Sequence, residues 1–179
     1  MPKTTEKSRL FFALWPEQPL AEQIHYAVQA PLRNSDGKRV PECNFHITLV
    51  FYGSADARQR ACLELAADKI TARRFNLNLS QLGYFAKPKV IWLAPDDIPD
   101  ALTQLQFDLS QVLVEQCAYQ AEQRPYRPHL TLARKSRQAP SEKVIDAVSW
   151  QVHRFVLVQS ITRPEGAEYR VLKEWELSG

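Results

Sequence analysis

Two tetrapeptides of one kind constrain this chain more than anything else in it. His46-Ile47-Thr48-Leu49 and His129-Leu130-Thr131-Leu132 both read His-aliphatic-Thr-Leu, each inside an apolar run of strand character. Side chains alternate between the two faces of a strand. In each copy the imidazole and the hydroxyl therefore share one face, and the aliphatic pair shares the other. The aliphatic pair can enter a core while His and Thr look outward together. One such tetrapeptide on a strand is ordinarily a solvated face. Two, in matching surroundings, predict two histidines facing each other across a cleft.

The surroundings do match. An apolar run at 10–15 reads as a buried strand and stops at Pro16. Residues 17–30 have helical periodicity, with Leu20, Ile24, Ala27 and Val28 on one face and Pro31 after them. Asn34-Ser35-Asp36-Gly37 is a turn. The first motif strand follows at 45–52 and ends at Gly53, then a helix at 56–73, then the alternating strand Phe75-Asn76-Leu77-Asn78-Leu79. Lys87-Pro88-Lys89 makes a hairpin turn into a strand at 90–93, which reaches Pro95 as the first reaches Pro16. A helix over 98–117 and the stiff Pro125-Tyr126-Arg127-Pro128 lead to the second motif strand at 129–133. A short helix at 141–148, a strand at 150–161, a turn at Pro164-Glu165-Gly166 and a strand at 169–177 complete the reading. A strand-helix-strand-helix-hairpin unit thus occurs twice, over about 9–89 and 90–178, and 83 positions separate the motif histidines. Paired about a pseudo-twofold axis, the units form one two-lobed domain with the motifs together.

The 179 residues suffice for one sizeable domain or two lobes on a shared core. A formal charge of +3 and a pI near 8.8 suit an anionic ligand but not a protein that coats duplex DNA. Cys43, Cys62 and Cys117 are odd in number and include no Cys-x-x-Cys, which predicts no disulfide framework and a reducing compartment. The apolar run 10–15 is too short for a signal-peptide core or a membrane span, so a soluble, cytoplasmic chain is expected.

With five glycines the chain has neither Gly-x-x-x-x-Gly-Lys-Ser/Thr nor Gly-x-Gly-x-x-Gly, the usual cradles for nucleoside triphosphates and dinucleotides. It also lacks Gly-x-Ser-x-Gly, Lys-x-Asp-Gly and zinc-type His/Cys spacings. Acid–base chemistry by histidine, without metal or cofactor, is what remains. Displacement at a phosphodiester needs a base for the attacking oxygen and an acid for the leaving one. Histidine titrates near neutrality, so one ring can be neutral while its partner is charged. Thr48 and Thr131 can donate to non-bridging phosphate oxygens, which gain charge as phosphorus becomes five-coordinate. A strained cyclic phosphate is the easiest substrate for such a site. His25, beside a helical apolar stripe, reads as a surface residue, and His153 as structural.

The two motifs in context, Phe45-His46-Ile47-Thr48-Leu49-Val50-Phe51-Tyr52-Gly53 and Arg127-Pro128-His129-Leu130-Thr131-Leu132-Ala133-Arg134, resemble the signatures of the two-histidine (2H, His-x-Thr-x) phosphoesterase superfamily. The likeness is greatest to the bacterial RNA 2',3'-cyclic phosphodiesterases, or 2'-5' RNA ligases of the LigT/ThpR kind. Arg9-Leu10-Phe11-Phe12-Ala13-Leu14, Leu82-Gly83-Tyr84-Phe85, Val90-Ile91-Trp92-Leu93 and the tail 169–177 extend it over nearly the whole chain. The resemblance implies a bilobed α+β fold with two antiparallel sheets facing a central cleft, one motif on each. It implies hydrolysis of RNA 2',3'-cyclic phosphate ends to 2'-phosphates without metal, ATP or cofactor, and reversible 2'-5' ligation. His46 would be the proton donor and His129 the acceptor, with Thr48, Thr131 and Arg134 as phosphate contacts. The partners would be RNA ends, tRNA halves among them, met by a monomer with no DNA or membrane contact.

Phe11, Phe51, Tyr84 and Tyr126 are candidates for stacking on a base, a contact worth roughly 1–3 kcal/mol. Two other functions stay open on the residues. One is a phosphodiesterase for a small cyclic nucleotide or an ADP-ribose cyclic phosphate. The other is a non-catalytic module that holds RNA ends.

Overall fold

A strand with an unbroken apolar run has to be covered on both faces, and β1 (Ser8–Leu14) is from Leu10 onward. Leu10, Phe12 and Leu14 enter the main core, whereas Phe11 and Ala13 join a second cluster with Val156 and Val158. The computed structural model describes residues 8–179. Residues 1–7, which precede the apolar run read as too short for a signal-peptide core, lie outside them.

After β1 come α1 (Gln18–Ala27), β2 (Lys38–Arg39), a 3-10 turn (Glu42–Asn44), β3 (Ile47–Ala55), α2 (Ala57–Ala67), β4 (Phe75–Phe85) and β5 (Val90–Pro95). Then follow α3 (Asp100–Cys117), β6 (Leu130–Arg134), β7 (Val144–Val152), β8 (Arg154–Arg163) and β9 (Gly166–Glu176). The expected α+β class is the observed one. The strands make one nine-stranded sheet in the order β7-β4-β5-β6-β3-β1-β8-β9, with β2 paired to β6, and its two antiparallel halves meet where β6 adjoins β3. The junction pairs Ile47 of β3 with Leu130 of β6, the second residue of each motif. Pairing crosses the boundary near residue 89: β4 lies with β5 and β7, and β8 and β9 lie with β1. Buried leucines of α3 (Leu102, Leu105, Leu109, Leu113), Leu63 of α2 and Ile24 of α1 fill the main core behind the sheet.

The two motif strands are equivalent in detail. On β3, Thr48 and Val50 face Ala13 and Phe12, which leaves Leu49 as a bulge. On β6, Thr131 and Ala133 face Trp92 and Ile91, which leaves Leu132 as a bulge. Each bulge thus falls at the leucine after the motif threonine, where it bends the strand and re-aims the side chains beside it.

Several expectations need correction. Gly53 does not end β3; its φ of +92° accompanies a second bulge, and the strand runs on to Ala55. The helix expected at 56–73 opens with a capping box between Asp56 and Gln59 but stops at Ala67. Beyond it the chain is drawn to the C-terminal tail, where Ser178 N donates to Ala72 O and Arg74 N to Ser178 O. The helix expected at 141–148 is largely strand. β7 pairs with β4 from Val152 back to Val144, and this pairing overrides a local pattern in which Ile145 and Val148 mimic one helical face. The single strand expected at 150–161 divides at His153 into the end of β7 and most of β8.

The cysteine expectation fails as well. Cys62 and Cys117 form a disulfide, with Cα atoms 5.7 Å apart, and Cys43 alone is free. The odd count concealed a pair separated by 55 residues, brought together because α2 packs on α3. The inference of a reducing compartment from cysteine usage falls with it. No helix among the described residues is long and apolar enough to cross a membrane.

Candidate active site

The two motif histidines occupy the residue just before β3 and the residue just before β6. Because Ile47 and Leu130 pair antiparallel, His46 falls opposite Thr131 and His129 opposite Thr48, which puts all four motif side chains on one face across the sheet junction. Each ring is fixed in the same way. His46 Nδ1 donates to Asn44 O at 2.8 Å, and His129 Nδ1 donates to Arg127 O at 2.7 Å. The acceptor is two residues back in each case, presented by the Glu42–Asn44 turn and by the Pro125–Pro128 stretch. With Nδ1 carrying the hydrogen, Nε2 of each ring is left to accept or deliver a proton.

A cavity of about 310 Å³ is lined by His46, Thr48, His129, Thr131 and Arg134, together with Phe85, Pro88 and Val90. All five residues expected from the sequence therefore come together. Phe85, Pro88 and Val90 were not anticipated. They come from the β4–β5 hairpin, whose sequence signalled a turn but not where the turn would lie.

The surroundings of the two rings differ. His46 stacks flat on Trp15, with planes 3° apart and centroids at 5.1 Å. Phe11 lies 5.0 Å away, and Tyr169 meets the ring edge-on at 5.2 Å. This burial holds the His46 pKa down to about 4; the Asn44 carbonyl opposes the shift, and the charges of Arg134 and His129 add to it. His129 is partly exposed and has one aromatic neighbour, Phe85, edge-on at 5.1 Å. Phe85 in turn touches Trp92, whose ring lies flat over Gly83. A Cβ on residue 83 would sit 2.0 Å from that indole, so glycine is required there.

The stacking candidates separate. Phe11 is spent on His46, Tyr84 OH donates to Ser136 O, and Tyr126 OH donates to Thr48 O. The Tyr126 bond ties the segment before His129 to the first motif strand. Phe51 alone is exposed, with the Arg9 guanidinium 5.4 Å from its ring centre. His25 and His153 lie away from the cavity, each beside a carboxylate, Glu42 at 3.8 Å and Glu17 at 3.5 Å. Among the described residues no three His, Cys, Asp or Glu side chains gather as a metal site would require.

Residues 16–163 match the model of the 2'-5' RNA ligase superfamily. The chain is 30% identical to the RNA 2',3'-cyclic phosphodiesterase of Escherichia coli (strain K12), over 97% of this chain and 99% of that protein. It is also 30% identical to the RNA 2',3'-cyclic phosphodiesterase of Thermus thermophilus, over 96% and 91% of the two chains. Among solved structures, E. coli LigT in apo form superposes with a TM-score of 0.85 over 97% of this chain and 99% of that one, at 30% identity. LigT complexed with 3'-AMP gives 0.87 at the same identity, over 97% of this chain and all of that one.

Proposed function

The chain belongs to the 2'-5' RNA ligase superfamily, and on that premise we propose that it opens 2',3'-cyclic phosphates at RNA ends to 2'-phosphates. One observation carries the reading: both histidines, both threonines and Arg134 line one cavity. In the proposed reaction His129 Nε2 takes a proton from water, and the oxygen attacks phosphorus opposite the 3'-oxygen. Thr48 and Thr131 donate to the non-bridging oxygens, and Arg134 offsets their growing charge. His46 Nε2 delivers its proton to the departing 3'-oxygen. The strained ring drives the opening, and two imidazoles supply both proton transfers, so the sequence of steps calls for neither ATP nor metal.

His46 is neutral near pH 7 in the free protein. As donor it must take up a proton when the substrate phosphate enters and counters the Arg134 charge. A 5'-hydroxyl in place of water follows the same steps in the same direction, attacking phosphorus as the 3'-oxygen departs, and makes a 2'-5' bond. On this reading RNA ends, tRNA halves among them, are the substrates, and a monomer in the cytoplasm is the acting form.

The low His46 pKa favours a second reading, in which His46 is the base and His129 the acid. A substrate with sulfur as the 3' bridging atom separates the two, because a thiolate leaves without a proton. Replacing either histidine by alanine lowers turnover of the oxygen substrate by about 10²–10⁴-fold. If His46 is the donor, H46A recovers most of the loss on the sulfur substrate and H129A does not. The opposite pattern exchanges the roles. Wild-type turnover in either variant refutes the acid–base pair.

A further inference from the structure

Beyond the cavity, the ends of β5 and β6 carry an unusual pair of residues. Among the described residues three other than glycine have positive φ, and two of these are lysines, Lys89 at 55° and Lys135 at 59°. They are neighbours, because Val90 pairs with Arg134 and each lysine lies one residue outside that pair. Ser136 N donates to Lys89 O at 3.0 Å, which locks the two chains together. The anchor is buried. Ser136 is fully inaccessible, and its hydroxyl bonds Gln138 O at 2.8 Å and Asp36 Oδ1 at 3.2 Å.

Left-handed backbone costs a residue with a side chain and suits glycine. Strain of this kind, held by a rigid surround, gathers at functional sites. Here both strained positions carry an exposed ammonium at the rim of the cavity, since Val90 and Arg134 line it. Lys87 is exposed two residues before Lys89, and Lys38 lies across from Arg134 on β2. None of Lys38, Lys87, Lys89, Arg134 and Lys135 has a carboxylate within 4.0 Å among the described residues. The nearby Asp36 is engaged by Arg137 at 2.7 Å.

We propose that Lys89 and Lys135 form a phosphate track that holds the backbone of a single-stranded RNA next to its reacting end. The proposal rests on the function proposed above and deepens it: the track makes the protein prefer an RNA strand to a cyclic mononucleotide. Neighbouring strands lie about 4.8 Å apart, so the two ammonium groups can each meet one of two successive phosphates of the strand.

The test is the variant Lys89→Gly/Lys135→Gly, in which glycine keeps the backbone geometry and relieves its strain. Binding of a ten-nucleotide single-stranded RNA is followed by fluorescence anisotropy against KCl concentration. Turnover of the same RNA with a 2',3'-cyclic phosphate end is compared with turnover of uridine 2',3'-cyclic phosphate. Two lost phosphate contacts reduce the slope of log affinity against log salt by about 1.4. The kcat/KM for the RNA at 0.1 M KCl falls about tenfold. For the mononucleotide it stays within about twofold, because its single phosphate sits in the cavity. The variant Lys89→Arg/Lys135→Arg keeps the wild-type slope. An unchanged slope in the glycine variant, or equal losses on both substrates, overturns the track. If the wild type turns over neither substrate, the proposed activity fails, and the salt slope still decides whether the lysines bind RNA.

Discussion

His46 is where the residue scale carries most consequence. Its ring is partly buried among Trp15, Phe11 and Tyr169, and its pKa lies near 4 rather than 6.5. Between those values the unfolded chain binds a proton at this residue that the folded one does not, so stability falls as pH drops from about 6.5 to 4. At about 1.4 kcal/mol per pH unit, the loss is on the order of 3 kcal/mol. Urea denaturation of wild type and His46→Gln at pH 7 and pH 4.5 checks this: the wild type should lose more stability between the two than the variant. Equal losses would mean that the pocket does not hold the ring neutral. If His46 is the donor, binding a phosphate ester at pH 7 should take up close to one proton, measurable by calorimetry in buffers of different ionisation enthalpy. The paired His and Thr were legible in the sequence because a strand's two-residue period is local. Trp15 and Tyr169 were not, because β1–β8–β9 pairing brings Tyr169 beside a ring 123 positions away in the chain.

Elements were legible where apolar residues kept one period, as in β1, α1 and α3. They were misread where pairing partners decided the outcome. β7 is such a case, with its alternate residues Val148, Trp150 and Val152 buried only because β4 lies beside it. The Cys62–Cys117 disulfide is another, since nothing in the spacing of two cysteines 55 apart reveals that two helices pack there. It ties α2 to the last residue of α3, and Tyr52 OH of β3 donates to the same residue's carbonyl at 2.9 Å. Closing such a loop stabilises by about 2–4 kcal/mol, a Tm difference of roughly 5–15 °C for a chain of this size. The wild type should melt lower by that amount in dithiothreitol, and Cys62→Ser should melt at the lower temperature with or without it. Identical wild-type melting in both conditions would mean the bond contributes nothing.

The whole molecule is held together by the exchange of strands between its sequence halves. A fragment ending at residue 89 would keep β4 but lose both β5 and β7 from its flanks, and would leave one edge of β1 without β8. Open edges and half a core do not sustain a fold. Residues 1–89 alone should show no cooperative thermal transition by circular dichroism, and a sharp one would mean the halves are independent domains. The same exchange sets the two motifs side by side at the Ile47–Leu130 junction and so creates the cavity. The measurement that bears most directly on that cavity uses the intact protein, a short RNA ending in a 2',3'-cyclic phosphate, EDTA and no ATP. The terminal phosphate of the product is then identified. The account predicts turnover to a 2'-phosphate. A 3'-phosphate would contradict the departure of the 3'-oxygen, and no turnover by the folded protein would contradict the proposed activity itself.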